Sequence, residues 1–169
     1  MSLKDQDGFT LIELLIVVAI IGIIAAIAVP GLLRARMSGN EASAIGSMRA
    51  ISTAQHAYAE KCIGFAPVLT ELRVAGNFLS PEMTATALVS KSGYNVAVLA
   101  GATNIVLPSQ QPGCTNSGSS YIATALPWSV GSSGKRAFAT DEHGAIWQDT
   151  TGVAPTQPFT VSGTTSIIQ

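Results

Sequence analysis

The sequence contains few of the residues from which active sites and charged binding surfaces are built. Only 11% of its 169 residues are charged, 6% are aromatic, and there are two histidines and two cysteines. Nine lysines and arginines against ten acidic residues give a net charge of −1, whereas nucleic-acid-binding domains usually carry a basic face. Two cysteines cannot by themselves supply the four ligands of a structural zinc site. The composition therefore argues against specific nucleic-acid binding and against such a zinc site.

Catalytic motifs are missing as well. Residues 131–135, Gly-Ser-Ser-Gly-Lys, lack the spacing of a phosphate-binding loop and of a GxSxG nucleophile elbow. His56 falls on a predicted helix and His143 in a predicted turn, each without a second histidine or cysteine at metal-ligand spacing. We therefore predict a chain that is not an enzyme and has no cofactor and no metal site.

What the sequence does have is a long apolar run near its N-terminus. Every residue from Leu14 to Val29 is apolar or glycine, and the run extends with few polar interruptions over residues 9–33. As a helix this run measures roughly 37 Å, enough to cross a hydrocarbon core of about 30 Å. A cleaved secretory signal is the alternative, but its apolar region is usually only about 7–15 residues and ends in small residues. We predict a membrane-spanning helix over residues 9–33.

Three residues within this run are unusual in a plain membrane anchor. Glu13 places a carboxylate in an apolar segment, which is costly unless a cation neutralises it, so a functional role is expected. Gly22 and Pro30 both weaken a helix, glycine through its flexibility and proline because it lacks a hydrogen-bond donor. The segment between them is predicted to open or bend. The alternatives are a close helix contact at Gly22 and a simple kink at Pro30.

The sequence GFTLIEL at residues 8–14, followed by the apolar run and Pro30, resembles the N-terminus of type IV pilins and of the pseudopilins of type II secretion. The close resemblance covers about residues 8–36. It implies that residues 1–8 are a leader, that a prepilin peptidase cuts after Gly8, and that the new amine on Phe9 is methylated. The leader departs from the family in not being basic, because Lys4 is outweighed by two aspartates.

The resemblance also implies a mechanism of assembly. In the family, the carboxylate at the position of Glu13 neutralises the N-terminal amine of a neighbouring subunit, here the amine of Phe9. The helix between the positions of Gly22 and Pro30 is often unwound in assembled pili, and we expect the same here. The implied partners are identical subunits, the prepilin peptidase, the inner-membrane assembly machinery and, before assembly, membrane lipid.

Beyond the apolar run, residues 34–62 are alanine-rich and predict an amphipathic continuation of the helix. Ile45, Met48, Ile51, Tyr58 and Cys62 recur at spacings near three and four, which predicts packing against a C-terminal domain. Residues 38–41 could interrupt the helix, because Ser38 and Glu41 resemble a capping box. We expect continuity or a bend rather than a break.

Residues 63–169 predict a β-rich domain, so the expected fold class is α+β, with a long helix packed on an antiparallel sheet. A short helix is expected near residues 68–75. The predicted strands are Tyr94–Leu99, Ile105–Leu107, Tyr121–Ala125, Lys135–Thr140 and Ala145–Gln148. Residues 141–144 are the expected turn of the last hairpin. The resemblance to pseudopilins leaves a calcium site at Asp141 and Glu142 open, since this ion prefers oxygen ligands.

In the family topology Cys62 and Cys114 lie outside the cytoplasm, where a disulfide between them would persist. Two separate buried thiols are the alternative. The serine-rich segment 115–120 is a candidate site for O-linked sugars.

The function implied by the resemblance is that of a major pilin. Such a subunit is a single-pass inner-membrane precursor that then polymerises into an extracellular filament for adhesion, twitching motility or DNA uptake. A pseudopilin of a type II secretion system is the alternative.

Overall fold

The computed structural model describes residues 8–108, 111–114 and 117–168. Residues 1–7 of the predicted leader and residues 115–116 of the serine-rich segment lie outside the described residues. By internal contacts the described chain divides into two units, with the boundary between Arg36 and Met37. Each unit is described by itself below.

A single helix, α1, runs from Leu11 to Cys62 over 52 residues. It contains the predicted apolar run and its amphipathic continuation, and residues 38–41 do not interrupt it. The expectation of continuity is therefore confirmed. The segment from Gly22 to Pro30 is helical throughout this single chain, so its unwinding remains an expectation for the assembled filament.

In the first unit every residue from Gly8 to Arg36 is exposed. An apolar helix with no internal partner is stable in lipid because all its backbone groups bond within the helix. The helix in this unit is long and apolar enough to cross a membrane.

In the second unit, the rest of α1 supplies one layer of the core. The predicted stripe is confirmed: Met48, Ile51, Tyr58 and Cys62 are fully buried, and Ile45 packs at the edge of the core. The stripe meets aromatic and aliphatic side chains of the sheet, including Tyr94, Val96, Val98, Tyr121, Phe138 and Ile146. The expected α+β architecture is thus confirmed.

The second layer is an antiparallel β-sheet. The strands of this unit are β1 (Leu88–Lys91), β2 (Tyr94–Ala100), β3 (Val106–Leu107), β4 (Ser117–Gly118), β5 (Tyr121–Pro127), β6 (Ala137–Asp141), β7 (Ile146–Asp149) and β8 (Thr165–Ile168). Six of them form the sheet in the order β1-β2-β5-β6-β7-β8, and β3 and β4 form a separate two-stranded ribbon. A short helix α2 (Glu71–Val74) and a 3-10 helix (Pro81–Thr84) connect α1 to the sheet.

The predicted strands are present with shifted ends, and three strands were not predicted. The unpredicted strands β1 and β8 lie at the two edges of the sheet, while β4 has only two residues. The strand predicted from Lys135 begins instead at Ala137, because the backbone N–H groups of Lys135 and Arg136 both donate to the Glu41 carboxylate. The expected hairpin turn is present, with Gly144 at a positive φ and its N–H donating to the Asp141 carbonyl over 2.9 Å.

Candidate assembly site

The start of α1 carries a capping box built by Thr10 and Glu13. The Thr10 hydroxyl and backbone N–H donate to Glu13 Oε2 over 2.6 and 2.9 Å. The Glu13 N–H donates in return to Thr10 Oγ1 over 3.3 Å. This reciprocal arrangement satisfies orphan donors of the first helical turn and fixes the carboxylate at the helix N-terminus.

The predicted processing residues directly precede this cap. Gly8 and Phe9 lie outside the helix, and the Phe9 side chain is 85% exposed. An added Cβ at Gly8 would meet no atom of the described residues within 4 Å. The 8–9 peptide bond is therefore in an open, non-helical segment, which suits proteolytic access. Thr10 bonds to Glu13, so the predicted cleavage bond and the carboxylate lie within about one helical turn of each other.

The apolar side chains of the first unit form a continuous exposed surface on all sides of the helix. A surface of this extent on a soluble monomer is exceptional, and it indicates burial in lipid or against other helices. The exposed large side chains here are Phe9, Leu11, Ile12, Leu14, Leu15, Ile16, Val17, Val18, Ile20, Ile21, Ile23, Ile24, Ile27, Val29, Leu32 and Leu33. Gly22 lies on this surface, and a Cβ there would meet nothing within 4 Å. Within the described part of the first unit nothing packs against Gly22, and a close helix contact there stays a prediction.

Glu41 has a role that the sequence analysis missed. Its Oε1 accepts the N–H groups of Lys135 and Arg136, while Oε2 accepts Arg136 Nε and Nη2 over 2.9 and 2.7 Å. Glu41 and Ser38 therefore form no capping box, because the helix continues through residues 38–41 and this carboxylate binds the segment before β6. Burial alone would raise the pKa of Glu41, but these hydrogen bonds and the adjacent guanidinium together hold it below its usual value. The sequence position of Glu41 could have indicated this contact, because Glu41 lies three and seven residues before Ala44 and Met48 and so shares the buried side of α1 with them.

The C-terminal end of α1 is held by covalent and polar contacts. Cys62 and Cys114 form a disulfide with their Cα atoms 5.6 Å apart, so both cysteines are bonded. The Ser117 hydroxyl donates to the Cys62 carbonyl over 2.6 Å. The fully buried Gln55 amide also exchanges two hydrogen bonds with the backbone of Ala66, over 2.9 and 2.8 Å. These contacts fasten the segment after α1 to the helix.

The two histidines and the glycine-serine segment make local contacts that account for their positions in the fold. Exposed His56 packs edge-on against the Phe65 ring, with centroids 6.1 Å apart. The glycine-serine segment is a tight loop in which the Gly131 N–H donates to the Gly134 carbonyl over 2.8 Å. His143 Nδ1 lies 3.2 Å from Asp141 Oδ2 in the β6–β7 turn.

Comparison with known proteins shows which family this chain, with its exposed apolar helix and capped N-terminus, belongs to. A family model described as the prokaryotic N-terminal methylation motif matches residues 3–29. The type IV wide pilus major component PilA4 of Thermus thermophilus is 32% identical over 99 residues, which cover 59% of this chain and 76% of that protein. The chain belongs to the type IV pilin family. Because the match to PilA4 covers 99 residues and the first unit ends at Arg36, the match includes part of the second unit.

Other pilins match this pilin over shorter stretches. The type IV major pilin protein PilA of Myxococcus xanthus is 36% identical over 94 residues, which are 56% of this chain and 38% of that protein. This pilin therefore spans well under half the length of the Myxococcus relative. A fimbrial protein of Pseudomonas aeruginosa is 79% identical over 28 residues, covering 17% of this chain and 18% of its own length. No solved structure gives a significant match.

Proposed function

We propose that this pilin is the major structural subunit of a type IV pilus and that it polymerises through its N-terminal helix. The observation that carries this proposal is the exposed apolar helix of the first unit with Glu13 fixed in its first turn. Such a surface is compatible with lipid before assembly and with packed helices afterwards. The functional layout comprises a leader at 1–8, a filament-core helix at 9–33, an amphipathic half at 34–62 and a globular domain at 63–169.

Processing creates the charge that Glu13 needs. Hydrolysis of the peptide bond after Gly8 by a prepilin peptidase leaves an amine on Phe9, which is then methylated and stays cationic as a secondary ammonium. Burying this ammonium together with a carboxylate costs much less than burying either ion alone. The Glu13 side chain of one subunit therefore pairs with the Phe9 amine of its neighbour, and the pair fixes the axial register. The Thr10 contacts hold the carboxylate near the helix start until then.

The two helix-weakening residues act at the next step. Gly22 and Pro30 lower the cost of unwinding the segment between them when the helix passes from lipid into the filament. The precursor resides in the inner membrane, the assembly machinery there extracts it, and the finished filament is extracellular. The subunit's role is structural rather than catalytic, in adhesion, twitching motility or DNA uptake.

Mass spectrometry of filaments sheared from cells tests the proposal. The expected result is an abundant chain that starts at methylated Phe9 and is two hydrogens lighter than the reduced form. A processed chain found only in the cell envelope would instead indicate a pseudopilin or a minor pilin. A chain that keeps its leader would overturn the assembly mechanism.

A further inference from the structure

One face of the second unit combines exposed apolar and basic side chains and has no part in the assembly mechanism. We call it the entry face, and it consists of the β1–β2 turn at residues 92–93 and the β5–β6 loop at residues 128–136. The loop contacts α1 close to where this helix enters the second unit, because Asn40 Nδ2 donates to the Ser133 carbonyl over 2.8 Å.

The β5–β6 loop has a fixed shape. The Trp128 N–H donates to the Gly93 carbonyl over 2.9 Å, which joins the loop to the β1–β2 turn. Within the loop, the N–H groups of Ser132 and Ser133 both donate to the Ser129 carbonyl, over 3.1 and 2.9 Å. A loop held by its own backbone in this way presents its side chains to a partner at little further ordering cost.

The loop exposes large apolar side chains. Trp128 is 78% exposed and Val130 is 57% exposed. Gly152 packs beside Val130, since a Cβ added at Gly152 would lie 2.7 Å from Val130 Cγ2, and the next residue, Val153, is 66% exposed. A tryptophan and two valines exposed on rigid neighbouring loops mark this face as an interaction surface.

The exposed charge of the entry face is basic. Lys135 is exposed in the β5–β6 loop, and Lys91 is exposed directly before the β1–β2 turn. Neither the turn nor the loop contains an aspartate or a glutamate. The Glu41 carboxylate reaches the loop from α1, but it already accepts the N–H groups of Lys135 and Arg136 and the Arg136 guanidinium. The face therefore suits a partner that offers negative charge beside apolar surface.

The length of the chain keeps this face close to the end of the apolar run. Asn40 follows Leu33 by seven residues, and seven residues span about 25 Å even when fully extended. When residues 9–33 cross a membrane, the entry face is thus held within reach of the lipid headgroups, whatever the arrangement of the two units.

We propose that the entry face contacts an anionic lipid surface before assembly. Trp128 lies in the interfacial layer, where tryptophan is favoured because its ring is apolar and its N–H is polar. The Lys91 and Lys135 ammonium groups pair with headgroup phosphates. This inference rests on the proposed function in one respect, namely that the apolar run spans lipid before the subunit is extracted.

A second copy of the chain fits this face less well. If two copies met through their entry faces, Lys91 and Lys135 of each would face ammonium groups of the same sign. Contact with a different surface of a second copy is an outcome that the experiment distinguishes.

Quenching of Trp128 by brominated lipid tests the proposal. The full chain carrying Trp147→Phe, which leaves Trp128 as its single tryptophan, is reconstituted in phosphatidylcholine vesicles with a minority of phosphatidylglycerol. We expect acyl chains brominated near the headgroup roughly to halve the emission, because Trp128 lies at that depth. The matched control is Trp128→Phe, in which the half-buried Trp147 of β7 is the emitter and should be quenched little.

Two further substitutions separate the apolar and the basic contribution. Val130→Ser should weaken the quenching of Trp128, whereas Val74→Ser should not, although Val74 on α2 is 63% exposed. Lys135→Gln should remove much of the additional quenching that phosphatidylglycerol produces, and so should added salt, whereas Arg73→Gln on α2 should not. Circular dichroism establishes that each variant folds.

Equal emission of Trp128 in plain and brominated vesicles would overturn the proposal. Protection of Trp128 from acrylamide that rises with protein density, and not with contact to brominated lipid, would also overturn it and would indicate a second copy. Alkaline carbonate extraction tests the membrane span separately. A chain that carbonate releases would contradict the span and the proposed function with it, whereas a retained chain with unquenched Trp128 would overturn only the lipid contact of the entry face.

Discussion

Glu41 shows how a single carboxylate on α1 determines the position of a distant strand. It accepts two backbone N–H groups and the guanidinium of Arg136, which also donates through Nη1 to Gln148 Oε1 over 2.7 Å. Replacing Glu41 with glutamine removes the negative charge. It also turns one carboxylate oxygen into an NH2 group that faces the N–H donors of Lys135 or Arg136. We expect a loss of about 1–3 kcal/mol in the free energy of unfolding.

Chemical unfolding of the full chain in nonionic detergent, followed by near-ultraviolet circular dichroism, measures this loss. Glu60→Gln is the matched control, because Glu60 is an exposed glutamate on the same helix, and its loss should stay within about 0.5 kcal/mol. Equal destabilisation by both variants would show that the Glu41 contacts contribute nothing specific.

The Asp149 carboxylate makes the folding stability of the second unit depend on pH. The Thr151 hydroxyl donates a hydrogen bond to the Asp149 carboxylate, and the Thr151 N–H and the Thr165 hydroxyl donate two more. Together these hydrogen bonds lower the pKa of Asp149 to about 2, although burial acts to raise it. A carboxylate with a lowered folded-state pKa stabilises fully above its unfolded pKa, near 4, and this stabilisation is lost as the pH falls toward 2. The lowered pKa of Glu41 acts in the same direction.

Melting temperatures recorded from pH 6 to pH 2 therefore test the Asp149 contacts. The unmodified chain should lose stability steeply below about pH 4, and Asp149→Asn should start lower and show a shallower decline. Parallel curves for the two proteins would mean that Asp149 does not titrate differently in the folded and unfolded states.

At the scale of secondary-structure elements, the features that depend on local sequence pattern were predicted. The features that depend on contacts between residues distant in sequence were not. The helix stripe and the hairpin at residues 141–144 follow from spacing and turn residues. The start of β6 could not be predicted, because Lys135 and Arg136 are withdrawn from the sheet by Glu41, which is 94 and 95 positions earlier. The proposed assembly motif, by contrast, lies within residues 8–14, and its resemblance to the pilin N-terminus depends on local sequence alone.

The disulfide ties the end of α1 to the loop before β4, and its contribution is measurable. Cys62 and Cys114 are 52 positions apart, so the bond restricts a long loop of the unfolded chain. Replacing both with alanine should lower the free energy of unfolding by about 2–4 kcal/mol. Reductant should destabilise the unmodified chain by a similar amount and leave the double variant unaffected. A response of the double variant to reductant would contradict this assignment.

At the scale of the whole molecule, the two units differ in where their packing contacts come from. The second unit has its own core, in which the buried face of α1 meets the sheet. The first unit has only exposed side chains among its described residues, and such a surface suits packing against lipid or neighbouring subunits. One helix, α1, belongs to both units, and Glu13 is the acidic residue in its apolar part. Assembly should therefore be sensitive to Glu13 in a way that folding of the second unit is not.

Replacing Glu13 with alanine should abolish filaments or reduce them severely while leader cleavage persists, because the methylated amine of Phe9 would be buried without a counter-ion. This variant also removes the helix cap, so Thr10→Val is the matched control: it removes the hydroxyl that bonds Glu13 Oε2 and keeps the carboxylate. Quantification of sheared filaments and of leader removal in both strains separates the two effects. Filaments lost in Glu13→Ala and retained in Thr10→Val assign assembly to the charge, whereas equal loss in both would assign it to the cap, and normal filaments from Glu13→Ala would refute the pairing.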